Sequence, residues 1–352
     1  MFGTNPEHML PKPILLSRAQ IDAQAWDNHI HHSRQCVIYA LSWYLDVVCE
    51  QWQALIWPSA ADFSIVMPLP MRRKFGRRVL YQPLFCQYLG LFSKDELSTR
   101  QCSAFLEALK THFSYISSYA FSPEDYALYD KIRDKDVDWE VFQTHWLRLD
   151  HSYDLLFSGY SKDRRTNVKR GRKAIWEIIE SDDFGPLIDL FNKNHAQRIG
   201  KIEPGAYQTL RLLGTKCIQN GNGRLMYALA GRRVHAGILL VHFRGRTIYI
   251  FNAADENGRR GNARAVMLDN YIRENAGKEQ VFDFESPPNQ SIAGYYAGFG
   301  AEEIPFFSIR RNALPFQLRQ IQEFRKWLII KTRRYLSSSL YTTLNPFPKT
   351  RF

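Results

Sequence analysis

Apolar and polar positions change period several times along the chain, and the changes mark out two comparable halves. Residues 16–30 read as a helix, and "CVIYALSWYLDVV" (36–48) as a short strand running into a second helix. "WQALIW" and "DFSIVMPLPM" alternate or are continuously apolar, as strands do. "RRKFGRRVLYQPLFCQYLGLF" adds a glycine-centred turn and a further strand-like run. "SKDELSTRQCSAFLEALKTHFSYI" has helical spacing, and Ser93 with Glu96 three residues on predicts a capping box at its start. "HWLRLDHSYDLLFSGY" closes this half with a strand and the start of a helix.

The second half repeats the order more clearly. "YSKDRRTNVKRGRKAIWEIIES" predicts a basic helix ending near Gly171 and a strand. Two helices ("FGPLIDLFNKNHAQRI", "AYQTLRLLGTKCIQNG") then precede three hairpin-linked strands: "GRLMYALAGRR", "VHAGILLVHFRG" and "RTIYIFNAAD". Helix 263–275, strand "QVFDFE", helix "SIAGYYAGFG" and strand "EEIPFFSIRR" follow. A basic amphipathic helix over 315–336 ends the pattern. The implied units are an N-terminal domain (1–160), a connecting helix and strand (161–181), a C-terminal domain (182–312) and a terminal helix with tail (313–352).

Composition narrows the class of protein. With 45% apolar residues in 352, the chain can bury two cores. A formal net charge of +12 favours an anionic partner: nucleic acid, a phospholipid surface or a phosphorylated small molecule. The five cysteines (36, 49, 86, 102, 217) are scattered, with no CxxC and no zinc spacing, so free thiols in a reducing compartment are expected and no metal. "HIHH" (His29, His31, His32) has no acidic or Cys partner at ligand spacing. No signal peptide precedes the first element, and no apolar run is long enough for a bilayer; a cytoplasmic protein is expected.

Candidate chemistry gathers in the second half. Between "TIYIFNAAD" and helix 263–275 lies "ENGRRGNAR", whose Gly258, Gly261 and Ala263 are spaced so that backbone amides can approach a phosphate. Asn252 and Asp255 stand where the strand opens into this loop, Asp255 equally suited to capping a turn. In "VFDFESP", Asp283 and Glu285 alternate with phenylalanines and so share one strand face. A carboxylate there would act as base or bind an acceptor amine; the alternative is a solvated strand face. Arg164, Arg165 and Lys169 in the basic run are candidates for a phosphate clamp or a solvated helix face.

The order of elements, with "GRRGNA" and "SIAGYYAGFGAEEIPF", resembles the GNAT acyltransferases. In that family the loop reads Arg or Gln, two residues, Gly, one residue, Gly or Ala, and its helix receives the donor's pyrophosphate. Gly261 and Ala263 match, while Gly258 stands at the Arg/Gln position, leaving Arg259 or Arg260 to supply the charge. The resemblance implies a donor site at Asn252, Arg259, Arg260, Gly261, Asn262 and Ala263. Tyr296, four residues before Gly300, matches the family's Tyr that protonates the departing thiolate.

Two such domains joined by "RRTNVKRGRK" look like the Fem-like branch of bacterial tandem-GNAT proteins, over about residues 20–312. The implied fold is α/β (α+β type), two tandem GNAT-like domains, each a mixed, mostly antiparallel sheet flanked by helices. The implied activity is transfer of an acetyl or aminoacyl group to an amine or hydroxyl of a small molecule or cell-envelope precursor. Tyr296 and Asp283 would be catalytic, with Glu285, Arg164, Arg165 and Lys169 holding the acceptor. The donor would be acyl-CoA, with acetyl-CoA foremost, or aminoacyl-tRNA, so tRNA is a candidate partner and DNA is not. The alternative is a non-catalytic GNAT-like module binding RNA or a lipid surface, the terminal helix making peripheral membrane contact.

Overall fold

The structure, a computed structural model, describes residues 12–315 apart from 75, 175 and 196–204, together with residue 320. The helix expected over 315–336 therefore lies almost wholly outside the described residues.

The first half opens with β1 (Ile14–Ser17), α1 (Ala23–His32) and α2 (Ser42–Val48). Residues 38–40 form a buried 3-10 turn rather than the expected strand, and the Trp26 indole N–H donates to Ala40 O at 2.8 Å. A short, fully buried apolar run carries no period with which to tell the two apart. Then come β2 (Gln51–Pro58), β3 (Phe63–Lys74), β4 (Arg77–Leu80), β5 (Phe92–Ser93) and α3 (Thr99–His112). The capping box of α3 is Ser98 with Gln101, not Ser93 with Glu96. Ser93 pairs with Ile65 in the sheet and is held extended, so the helix begins at the next suitable cap. This half ends with β6 (Tyr115–Ala120), α4 (Tyr126–Ile132) and β7 (Asp138–Arg148).

The second half carries α5 (Tyr153–Gly159), α6 (Lys162–Lys173), β8 (Glu177–Ser181), α7 (Gly185–Asn194) and α8 (Ala206–Gln219). Three antiparallel strands follow: β9 (Gly223–Ala230), β10 (Arg233–Phe243) and β11 (Arg246–Ala254). After them come α9 (Glu256–Arg260), α10 (Ala263–Asn275), β12 (Val281–Asp283), α11 (Gln290–Ala297) and β13 (Glu302–Asn312).

The two halves share one sheet, in the order β1-β2-β3-β4-β6-β13-β7-β12-β11-β10-β9-β8, with β5 beside β3. Each half has one parallel pair, β4 with β6 and β11 with β12; the other pairings are antiparallel. Strands are exchanged at the junction. β13, from the second half, lies between β6 and β7 of the first, and β7 lies between β13 and β12. β13 and β7 pair over nine residues, from Glu302–Trp146 to Arg310–Asp138.

Phe306, Phe307 and Ile309 of β13 are buried among residues of both halves, and one apolar cluster runs from Leu16 and Trp26 to Leu213 and Val241. A second cluster covers the other face of the C-terminal sheet, where Val168 of α6, Leu268 and Ile272 of α10, and Tyr296 and Phe299 meet β9–β12. Burial on both faces explains why β10 reads as an unbroken apolar run. Among the described residues no helix is long and apolar enough to cross a membrane.

Candidate active site

β11 and β12 pair for only three residues, Arg246–Val281 to Ile248–Asp283, and β11 then continues alone on that side. Where they part, β11 carries a bulge: Leu239 faces Phe251 and Leu240 faces Tyr249, so Ile250 is the extra residue. A bulge at such a point bends the strand and re-aims the side chains beside it. Below it opens a cavity of about 720 Å³ lined by Tyr249, Ile250, Asn252, Arg264, Tyr295 and Tyr296, with Phe284 and Glu285 from beyond β12. Leu84, Phe85, Cys86 and Gln87 of the first half complete the wall. A wider crevice of about 930 Å³ lies between α1 and the turn after α8, but its Asp27 carboxylate is already bonded to Ser42 N–H and Oγ.

Tyr296 stands on α11, whose first turn is capped by the Asn289 side chain accepting from Ser291 and Ile292 N–H. Its ring stacks on Phe284 with centroids 4.9 Å apart and meets Tyr249 edge-on at 6.0 Å. Burial raises its phenol pKa well above the ordinary value, so the hydroxyl keeps its proton at neutral pH; the Arg264 guanidinium pulls the other way. Arg264 in the first turn of α10 donates to Asn252 Oδ1, which fixes both on the pocket wall. Tyr249 is also buried there, beside the Arg264 guanidinium.

The two carboxylates part company. β12 ends at Asp283, and Glu285 takes a left-handed backbone, φ +47°, so the alternation that put both on one face does not extend to it. Asp283 is fully buried, and it does not line the cavity. It accepts from Tyr88 OH (2.8 Å), Thr144 Oγ1 (2.8 Å) and Glu285 N–H (2.9 Å), with Arg246 at 3.6 Å. The oxygens of Asp283, expected to be catalytic, thus join Tyr88 and Thr144 of the first half to the second. Glu285 does line the cavity, and burial followed by the nearby Asp283 charge holds its carboxyl well above the usual range, against a smaller effect of the Tyr39 hydroxyl. Phe85 opposite is likewise left-handed, φ +61°, so strained non-glycine backbone occurs on both sides of the pocket.

The glycine loop is more closed than its sequence implies. Residues 256–260 form α9, capped by Asp255, which accepts from Gly258 N–H at 2.8 Å and meets His235 Nδ1 at 2.8 Å. Gly261 N–H donates to Asn257 O and Asn262 N–H to Arg259 O, so neither amide is free for a phosphate. Gly261 is required for packing: a Cβ would run into the Trp176 indole, which donates to Gly261 O at 2.8 Å. Asn262 is left-handed, φ +54°, and the first helical bond of α10 is Val266 N–H to Asn262 O. The amides of Ala263, Arg264 and Ala265 precede that bond and have no partner within the helix. Arg259 lines the cavity and donates to Ala254 O at 2.7 Å; Arg260 pairs on the surface with Glu256.

Arg164, Arg165 and Lys169 of the basic run have separate surroundings. Arg164 is buried, its guanidinium 3.8 Å from the centroid of the Tyr295 ring and donating to Tyr295 O. Arg165 donates to Ser158 O and Tyr160 O, tying down the end of α5. Lys169 is exposed on the outer face of α6. Among the described residues no three His, Cys, Asp or Glu side chains are grouped to hold a metal ion. Of the sequence candidates, the structure thus brings Asn252, Arg259, Glu285 and Tyr296 to one cavity. It adds Arg264, Tyr249 and Gln87, which no motif marks; Arg264 had only its place in the first helical turn to signal it.

A parallel pair that splays at a bulge, with a helix N-terminus at the opening, defines a GNAT acyltransferase-like fold. Residues 162–288 match the family model of the acetyltransferase (GNAT) domain, a span that ends before Tyr296. The crystal structure of FemX superposes with a TM-score of 0.61 at 12% identity, covering 86% of this chain and 98% of that one. A conserved protein of unknown function from Bacteroides thetaiotaomicron gives 0.55 at 9% identity, covering 86% and 100%. No curated protein matches the sequence. The chain has the GNAT-superfamily fold in its Fem-like form.

Proposed function

We propose that the chain is an N-acyltransferase whose chemistry takes place in the cavity between β11 and β12. The observation that carries this is the grouping of Asn252, Arg264, Glu285 and Tyr296 around one opening in the sheet. The donor's acyl arm lies along the unpaired edge of β11, and its anionic end meets the amides at the start of α10, where the helix dipole favours negative charge. Tyr296 gives a proton to the leaving thiolate or alkoxide, and Arg264 stabilises the phenolate that results. Glu285 takes the proton released by the nucleophile.

Two donor classes suit this arrangement: an acyl-CoA thioester and an aminoacyl ester of tRNA. The closed glycine loop leaves only the α10 amides for a diphosphate, while exposed Lys169, Arg170 and Lys173 give α6 a basic outer face. The acceptor is a small molecule or cell-envelope precursor. Thermal-shift titration with acetyl-CoA, free CoA and aminoacyl-tRNA tests the reading. A donor present at about 100 times its Kd should add ~2.7 kcal/mol of stability. If none of the three raises the melting temperature, the acyltransferase reading fails.

A further inference from the structure

Two basic segments far apart in sequence leave the sheet side by side. β3 outruns its partner β2, whose first residue Gln51 pairs with Met71, and β4 meets β6 only at Leu80–Ile116. Arg72–Lys74 and Arg77–Val79 thus form a two-stranded ribbon standing about 10 Å clear of both neighbours, at ~3.4 Å per residue. In it Arg73 pairs with Arg78 and Lys74 with Arg77. Like charges directly opposite each other destabilise an antiparallel pair, and residues 63–93 contain no Asp or Glu to offset them.

Two of these cations are engaged at the ribbon's base. Arg78 donates to Gln53 Oε1 at 3.1 Å and lies 5.5 Å from the Phe113 ring centroid, and Arg72 lies 4.7 Å from that of Tyr81. Arg73, Lys74 and Arg77 are exposed, and among the described residues Arg73 and Arg77 form no ion pair. A lone two-stranded ribbon is marginal in water, so this repulsion has no return within the fold and points to an anionic partner.

The sheet places the end of β13 beside it. Ile116 of β6 pairs with Leu80 on one side and with Arg311 on the other, which sets β13 two strand spacings, about 10 Å, from β4. Ala313 N–H still donates to Ser114 O at 2.8 Å, so the described chain leaves the sheet in the direction the ribbon points. Arg311 donates to Phe113 O at 3.1 Å, next to the ring over which Arg78 lies. In sequence, residues 316–352 hold eight Lys and Arg against one Glu, and "RKWLIIK" (325–331) sets Trp, Leu and Ile between cations. A nucleic-acid backbone gains from the cations and not from the aliphatic groups. An anionic bilayer gains from both, since cations meet lipid phosphates while Trp and aliphatic side chains enter the headgroup boundary.

We propose that the β3–β4 ribbon and the chain beyond β13 form one docking surface for an anionic phospholipid membrane. Arg73, Lys74 and Arg77 meet the lipid phosphates, and the segment leaving beside them adds cations and apolar groups. This surface is independent of the acyltransferase reading.

The test is co-sedimentation of the full chain with phosphatidylcholine vesicles, with and without one-quarter phosphatidylglycerol, over a range of lipid concentrations. Binding should require the anionic lipid and fall in ~1 M salt, where the Debye length shrinks to about 3 Å. Arg73→Gln combined with Arg77→Gln should weaken it about 25-fold, about fivefold per charge. The melting temperature of that variant should equal or exceed the wild type's, because cross-strand repulsion is removed. A lower one gives the two arginines a structural role and overturns the reading. Trp327→Ser, which leaves the charge unchanged, should also weaken binding. Equal binding to both vesicles, or binding indifferent to either variant, overturns the joint surface. So does binding of a labelled RNA duplex that the double variant weakens, with no vesicle binding, which assigns the surface to nucleic acid.

Discussion

Asp283→Ala removes a carboxylate that is wholly buried where the two halves join. Three donors lose their partner: Tyr88 OH from the segment after β4, Thr144 Oγ1 from β7 and Glu285 N–H. Hydrogen bonds to a charged group each contribute about 1.5–3 kcal/mol, and the stranded donors keep their desolvation cost. The three share one acceptor and will not add fully. Arg246 limits the damage, because it also donates to Glu124 at 2.8 Å and lies 4.0 Å from the centroid of the Trp146 ring. The expected loss is about 3–4 kcal/mol for Ala, within the range for breaking a buried pair, and about 2 kcal/mol for Asn, which keeps one acceptor oxygen. Urea unfolding of the three proteins, with transfer activity measured per folded molecule, is the assay. A stability change below about 1 kcal/mol together with abolished activity would refute the structural role and return Asp283 to catalysis.

Tyr296→Phe should lower kcat by about 100-fold or more with donor affinity unchanged, measured as separate kcat and Kd values. Glu285→Gln bears on pH. Its folded pKa lies above the unfolded value of 4.5, so the folded state binds the proton more tightly and stability falls as pH rises through that window. The variant should lose this slope, be the more stable protein at pH 8 and lose activity; denaturant midpoints from pH 4 to 8 read it. Gly261→Ala should cost about 1–3 kcal/mol through collision with Trp176, seen as a lower urea midpoint. A fragment ending at residue 160 lacks β13, exposes the facing edges of β6 and β7, and should aggregate on gel filtration rather than run as a folded monomer.

Local pattern made much of the chain legible. The helix expected at 263–275 runs Ala263–Asn275, the three hairpin strands stand as read, and the helix bearing Tyr296 lies between strands as expected. These features depend on near neighbours: a 3.6-residue period, alternation, and turns marked by glycine. The same information misplaced the cap of α3, because two Ser-x-x-Glu/Gln sequences lie five residues apart and pairing of Ser93 with Ile65 decides between them.

Tertiary structure alone settled the rest. Apolar periodicity says that a face is covered without saying by what, so the exchange of β7 and β13 left no local trace. Asp283 and Glu285 are two residues apart with similar flanks. One fell inside the junction and the other, through a left-handed turn, into the cavity. Gln87 and Ser286 meet across 199 positions of sequence, and only the closed sheet brings that amide to the pocket. The chain's own pattern determined most of its elements; the burial and orientation of each polar group came from which distant segments the sheet placed beside it.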